Sequence, residues 1–158
     1  MKSTTGKVAR ASVALALLFV AFGIGGSLFE HLTVDRVWPE NVRIIQPEHG
    51  GIDRKVYWIP IHSAITLALL VAVVATWKVK PVRRMVLLAI GAYAAMRIWT
   101  AFYFIPNALE FEKIPEMTPE ALQRARTWIL WSVVRSLLLV ASGVALWRAM
   151  LRQRAGEA

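Results

Sequence analysis

Four apolar stretches, each close to the ~20 residues a helix needs to cross a hydrocarbon core, divide this 158-residue chain at residues 11–28, 59–77, 85–105 and 128–147. No other feature constrains the fold so tightly. In lipid every backbone N–H and C=O must be bonded within the protein, so runs of this length become helices. The sequence is 57% hydrophobic with seven Trp, too apolar for an ordinary soluble domain. It predicts one integral membrane domain over residues 1–158, of all-α class: a four-helix transmembrane bundle.

The charges supply the orientation. Lys2, Lys7 and Arg10 precede the first stretch, Lys78, Lys80, Arg83 and Arg84 join the second to the third, and Arg148, Arg152 and Arg154 follow the fourth; the only acid on that side is Glu157. The two opposite loops hold seven basic residues against nine acidic ones. By the positive-inside rule both termini are cytoplasmic, the long first loop is extracytoplasmic and caps the outer end, and the membrane is of the bacterial inner type. The net charge of +9 is therefore topology rather than a nucleic-acid surface, because the basic residues flank spans and form no interleaved aromatic face. The absence of Cys excludes disulfide frameworks, thiolate metal sites and dithiol redox chemistry. Residues 1–26 have the basic start and apolar run of a secretory leader, but no A-x-A-like site follows, so they read as a retained span.

Taken in order, the first helix has no breaker before Pro39 and is expected to project to that point. Gly23 and Ser27, with Gly25 and Gly26 between them, make a small-residue face for close helix packing. Residues 39–52, with Pro47, Gly50 and Gly51, form an irregular connection that caps the bundle or covers a substrate. Asp53 is a cap for the second helix, within which Pro60 is expected to free backbone carbonyls near His62. Thr118-Pro119-Glu120 is a strong start for a long last helix.

Arg97 lies well inside the third stretch. A guanidinium there costs roughly 2.5–3.5 kcal/mol on insertion scales, so it faces a partner, water or a ligand. Arg135 occupies the same position in the fourth stretch. From helical rise both lie ~10–12 Å below the outer surface, with Glu30 and His62 somewhat shallower. Their shared level predicts a polar pocket between the helices, opening outward beneath the 39–52 loop. Only Glu30 offers negative charge near that depth, and the deficit favours an anionic or carbonyl-bearing ligand. The candidate catalytic residues are Glu30 and His62 as proton acceptors and Arg97 and Arg135 as oxyanion holders. Trp99, Tyr103 and Asn107, at i+4 spacing, and Trp128 and Trp131, seven and four residues before Arg135, are candidate substrate-binding residues. Glu30, His31, His49 and His62 fall in no spacing that sets metal ligands on one helix face, so no metal is expected.

These residues carry a resemblance. The run Gly25-Gly26-Ser27-Leu28-Phe29-Glu30-His31 leading toward Pro39, the stretch from Arg54-Lys55 to Pro60, the aromatic third helix ending in Pro106-Asn107, and Trp128 followed by Arg135 are similar to the anthrone oxygenase-like family of small four-helix membrane proteins. The resemblance spans nearly the whole chain. It implies oxidation of anthrone-type polyketides to quinones by molecular oxygen without a bound cofactor. Ser132 stands where that family carries a histidine, so proton abstraction would fall to His62 or Glu30.

The sequence thus predicts a membrane enzyme acting on a small hydrophobic substrate through an enolate or phenolate, with oxygenation, isomerisation or cyclisation as its outcome. The competing reading is a non-catalytic lipid or small-molecule binder, or an accessory subunit, in which Arg97 pairs with Glu30 and no cavity exists. Transport is weaker, since the polar residues stop at mid-depth. The partners are the substrate and the bilayer, with self-association left open.

Overall fold

The computed structural model describes residues 4–155; Lys2 and Glu157 of the charge count lie outside them. Four long rods carry the fold. Helix α1 spans Thr4–Leu32 and α2 spans Lys55–Ala75. The third rod is composite: α3 (Lys80–Trp99), a π-helical turn (Thr100–Phe104) and α4 (Ile105–Phe111). Helix α5 spans Pro119–Ala155. All four rods are long and apolar enough to cross a membrane, and the described residues contain no strand. This is an integral membrane protein of all-α class.

The ends of the helices follow from local chemistry. Thr118 Oγ1 accepts the Ala121 N–H at 3.2 Å and Pro119 takes the first turn, where its missing N–H removes nothing. From there α5 runs for ~55 Å, beyond what the hydrocarbon alone requires. Asp53 Oδ1 accepts the Lys55 N–H at 3.0 Å, which sets the start of α2. The α-helical part of the first rod does not reach Pro39. It stops at Leu32 and a series of turns follows. Thr33 Oγ1 bonds back to the Phe29 carbonyl at 2.6 Å, and the Asp35 N–H reaches the Glu30 carbonyl at 2.9 Å. The Asp35 carboxylate then holds His31 Nδ1 (2.7 Å) and Trp38 Nε1 (3.1 Å). These bonds fold the chain inward and bury Trp38 completely.

Helix α3 packs along α5, and α1 lies against both α2 and α5. Helices α2 and α3 touch sparingly, although the short link between them makes them antiparallel neighbours. At the end carrying that link the core is apolar and small-residue rich: Val13, Ala16, Ala68, Ala72, Ala89, Leu146 and Ala149 are buried together. Alanine lets backbones approach closely where lipid provides no hydrophobic drive. Gly23 continues this packing, since a Cβ there would sit 3.1–3.2 Å from Leu139 and Ile65. Gly26 serves a different contact. A Cβ would lie 2.4 Å from the Tyr57 ring, whose hydroxyl donates to the Phe22 carbonyl at 2.7 Å.

The other end has a second core of Trp38, Val42, Ile45, Phe104, Phe111, Ala125 and Trp128. Here the irregular loop acts as a cap. Gln46 Nε2 donates to the Ile114 carbonyl at 2.7 Å, and Gly50, at φ +79, makes the left-handed step that closes the Pro47–His49 turn.

Candidate functional site

Between the two cores lies a cavity of about 740 Å³. Its floor is the point where α2 and α3 meet. Tyr93 Oη donates to the His62 carbonyl at 2.9 Å and lies 3.1 Å from His62 Nδ1. Thr66 Oγ1 donates to the same carbonyl at 2.8 Å. The imidazole stacks on Trp58, with centroids 5.3 Å apart, and its Nε2 makes no hydrogen bond to any described residue. Above this floor α2 and the third rod diverge, and the space between them is the cavity.

One wall comes from the junction of α3 and the π turn with α5. Arg135 donates through Nη1 to Thr100 Oγ1 (3.0 Å) and through Nη2 to Ser132 Oγ (3.1 Å), and its Cζ lies 4.4 Å from the centre of the Phe104 ring. Thr100 gives its own proton to the Met96 carbonyl at 2.8 Å, leaving its oxygen free to accept from the arginine. Arg97 lines the same cavity, half-buried, and no described residue hydrogen-bonds or ion-pairs with it.

The acids near the site are engaged elsewhere. Glu30 Oε1 accepts from Arg54 Nη1 at 3.2 Å and Oε2 from Trp58 Nε1 at 3.0 Å. Glu112 pairs with Lys55 at 3.3 Å, Asp35 is taken by His31 and Trp38, and Glu110 pairs with Arg124. The lining therefore contains Arg54, Lys55, Arg97 and Arg135 against Glu30 and Glu112, an excess of two positive charges. The expectation that Arg97 pairs with Glu30 is not met, because Arg54 occupies that carboxylate. Arg54 itself sits over Trp38 and Trp128, 5.9 and 5.5 Å from their ring centres, and its Nη2 is buried with no partner.

Of the residues singled out in the sequence, Glu30, His62, Arg97, Trp128 and Arg135 line this cavity. Trp99, Tyr103, Asn107 and Trp131 do not. Residues 97 and 99 lie ~200° apart around a helix, so the 99–103–107 row faces away from Arg97. The π turn then hands the lining to Thr100, Phe104 and Ala108. Trp99 packs on Trp131 (5.8 Å) and Tyr103 on Phe104 (4.9 Å). Asn107 donates to the Tyr103 carbonyl at 2.8 Å. Trp131 lies ~60° around α5 from Trp128 and is 43% exposed.

The loop at residues 39–52 contributes nothing to the lining. The lining residues Ile59 and Leu67 on α2 and Ile105 and Leu109 on α4 stay exposed on the bundle surface. The cavity thus opens sideways between α2 and α4 and not beneath the cap. Arg54, Trp58 and Thr66 are lining residues that the sequence reading passed over. Their signal was present: Trp58, His62 and Thr66 form one i+4 row on α2, and Arg54, at the cap position just before the helix, continues it.

Against known proteins, the chain matches no family model, no curated protein and no solved structure.

Proposed function

We propose that the chain is a membrane enzyme that takes a small hydrophobic substrate bearing a carbonyl, phenol or acid group, removes a proton from it and holds the resulting oxyanion. The observation that carries this reading is the pair of arginines, Arg97 and Arg135, lining one cavity with His62 and with no carboxylate of the described residues in ion-pair contact with either. A positive excess lining a largely apolar space stabilises developing negative charge strongly. The volume and the largely apolar lining are those of a small-molecule site, and a sideways mouth suits a substrate dissolved in the bilayer.

Of the two candidates, His62 is the one with an atom left free to accept a proton. The phenolic proton of Tyr93 goes to the His62 carbonyl, the shorter of its two contacts. Nδ1 must then donate to the phenol oxygen, and the neutral ring keeps its lone pair on Nε2. Glu30 has both oxygens committed and serves to fix Arg54 and Trp58 in place.

The resemblance to anthrone oxygenases gives this chemistry a definite form. Loss of a proton from the ring CH₂ of an anthrone gives an enolate whose oxygen meets the arginines. Molecular oxygen bonds to the carbon, and loss of water from the hydroperoxide leaves a carbonyl. One O₂ is consumed and one water formed per CH₂ oxidised to C=O. The charge asymmetry supports an orientation with both termini in the cytoplasm and the capped end outside.

The test uses purified protein in mild detergent with anthrone as probe, following oxygen uptake and quinone absorbance. Turnover that falls in His62→Gln and in Arg97→Gln supports the reading. Equal rates in all three proteins would remove it. Saturable anthrone binding without turnover, lost in Arg97→Gln, would favour the non-catalytic binder, which the sideways mouth also suits.

A further inference from the structure

A second cavity, of about 570 Å³, lies at the opposite end of the bundle, where the start of α3 meets the end of α5. Lys80, Arg83, Arg84 and Arg152 line it together with Leu87 and Leu88, and no acid does. None of these four cations is in an ion pair with a described residue. The positive-inside rule accounts for basic residues at this end, but not for their convergence from two helices into one hollow. Two of the cations are positioned by backbone. Arg152 Nη1 donates to the Pro81 carbonyl at 3.1 Å, and Arg83 Nη1 donates to the Trp77 carbonyl at 3.0 Å with its Cζ 4.8 Å from the Trp77 ring centre. Each still has donors to give. Trp77 is 56% exposed and belongs where Trp sits in membrane proteins, at headgroup level.

We infer that this hollow binds the phosphate of an anionic phospholipid, with the headgroup among Lys80, Arg83, Arg84 and Arg152 and an acyl chain along Leu87 and Leu88. Four unpaired cations select phosphate, and guanidinium forks match its oxygens in pairs. The two leucines, 45% and 57% exposed, make the ligand a lipid and not a free anion. Basic pockets between helices at a membrane surface commonly take such headgroups. The site is separate from the central cavity and does not depend on the reading given to it.

The experiment is native mass spectrometry of delipidated protein in mild detergent, titrated in parallel with phosphatidylglycerol, phosphatidylcholine and inorganic phosphate. Phosphatidylglycerol is expected to bind saturably and at least about tenfold more tightly than phosphatidylcholine. Lys80→Gln/Arg84→Gln, which leaves the Arg83 and Arg152 backbone bonds in place, should weaken phosphatidylglycerol about thirtyfold and leave phosphatidylcholine unchanged. Equal binding of the two lipids by the unmodified protein would overturn the site without recourse to any variant. So would a folded double variant that binds phosphatidylglycerol as before. Inorganic phosphate displacing the lipid at equal concentration would overturn the lipid assignment in favour of a free phosphate ligand.

Discussion

The two ends of the bundle are built from the same four rods on opposite principles. At the end with the α2–α3 link, alanines and aliphatic side chains close the interior, and the polar groups buried there are few and small, such as Ser12, Thr76 and Ser142. At the capped end the helices spread around arginines, a histidine and a carboxylate, with tryptophans filling the gaps. The closed end is what helices in lipid do by default, packing small residues against each other. The open end pairs most of its charges but leaves Arg97 and Arg135 with no ion pair to a described residue, a costly arrangement in a span.

The sharpest way to break this comparison is to exchange stability for function. Arg97→Met and Arg135→Met should each lower turnover of the anthrone probe about 100- to 1000-fold, the range for removing one oxyanion-stabilising donor. Thermal stability in detergent should hold or rise for Arg97→Met, because a half-buried charge without an ion pair is replaced by an apolar chain of similar reach. A large fall in melting temperature with turnover intact would make Arg97 part of the scaffold.

The converse change belongs to the closed end and to the cap. Leu146→Ala removes a fully buried side chain and should cost about 2–5 kcal/mol in reversible unfolding while leaving probe affinity unaltered. Trp38→Ala should cost about 3–5 kcal/mol, since Trp38 meets Phe111 at 5.1 Å and Trp128 at 6.0 Å. It should also weaken the probe, because Trp128 and Arg54 lose the ring they lean on. Equal loss of affinity in both variants would mean that the two ends act as one unit.

Architecture was legible because length and hydropathy act on each helix separately: twenty apolar residues specify a span whatever its neighbours. The level shared by Arg97 and Arg135 was legible for the same reason, through helical rise. Azimuth was harder. Spacing makes the 99–103–107 row a candidate for substrate binding, but it lies across the helix from Arg97, and the π turn at Thr100–Phe104 carries no distinct sequence mark. The carboxylate partner was out of reach for another reason. Arg54 stands outside the apolar stretches, as Glu30 does, and only the fold of the capped loop brings the two together. The end of α1 at Leu32 depended on side-chain bonds from Thr33 and Asp35 that helical periodicity does not register.

A smaller effect is expected at the cavity floor. Tyr93→Phe removes the hydroxyl that bonds the His62 carbonyl and Nδ1. It should cost about 1 kcal/mol of stability and about tenfold in turnover, through loss of tautomer control and not of the base itself. His62→Gln should lose 100-fold or more. Were Tyr93→Phe as damaging as His62→Gln, the phenol would be an acid or base in its own right, and the pH–rate profiles of the two variants would separate the cases.

The least disturbance is expected on the face that the π turn carries away from the cavity. Asn107 bonds its own helix through the Tyr103 carbonyl, and Trp131 leans on Trp99 with much of its surface exposed. Asn107→Ala and Trp131→Leu should therefore change probe affinity by less than about twofold, with a stability cost for Asn107→Ala of about 1 kcal/mol for the side-chain bonds to the Tyr103 carbonyl and from Arg124 that it loses. Thr100→Val makes the matched control. It keeps the shape of the residue but strips Arg135 Nη1 of its acceptor, and should weaken the probe about tenfold, the order of one hydrogen bond to a charged group. Reversal of that ranking would place the ligand against α5 at Trp131 and not between α2 and the third rod.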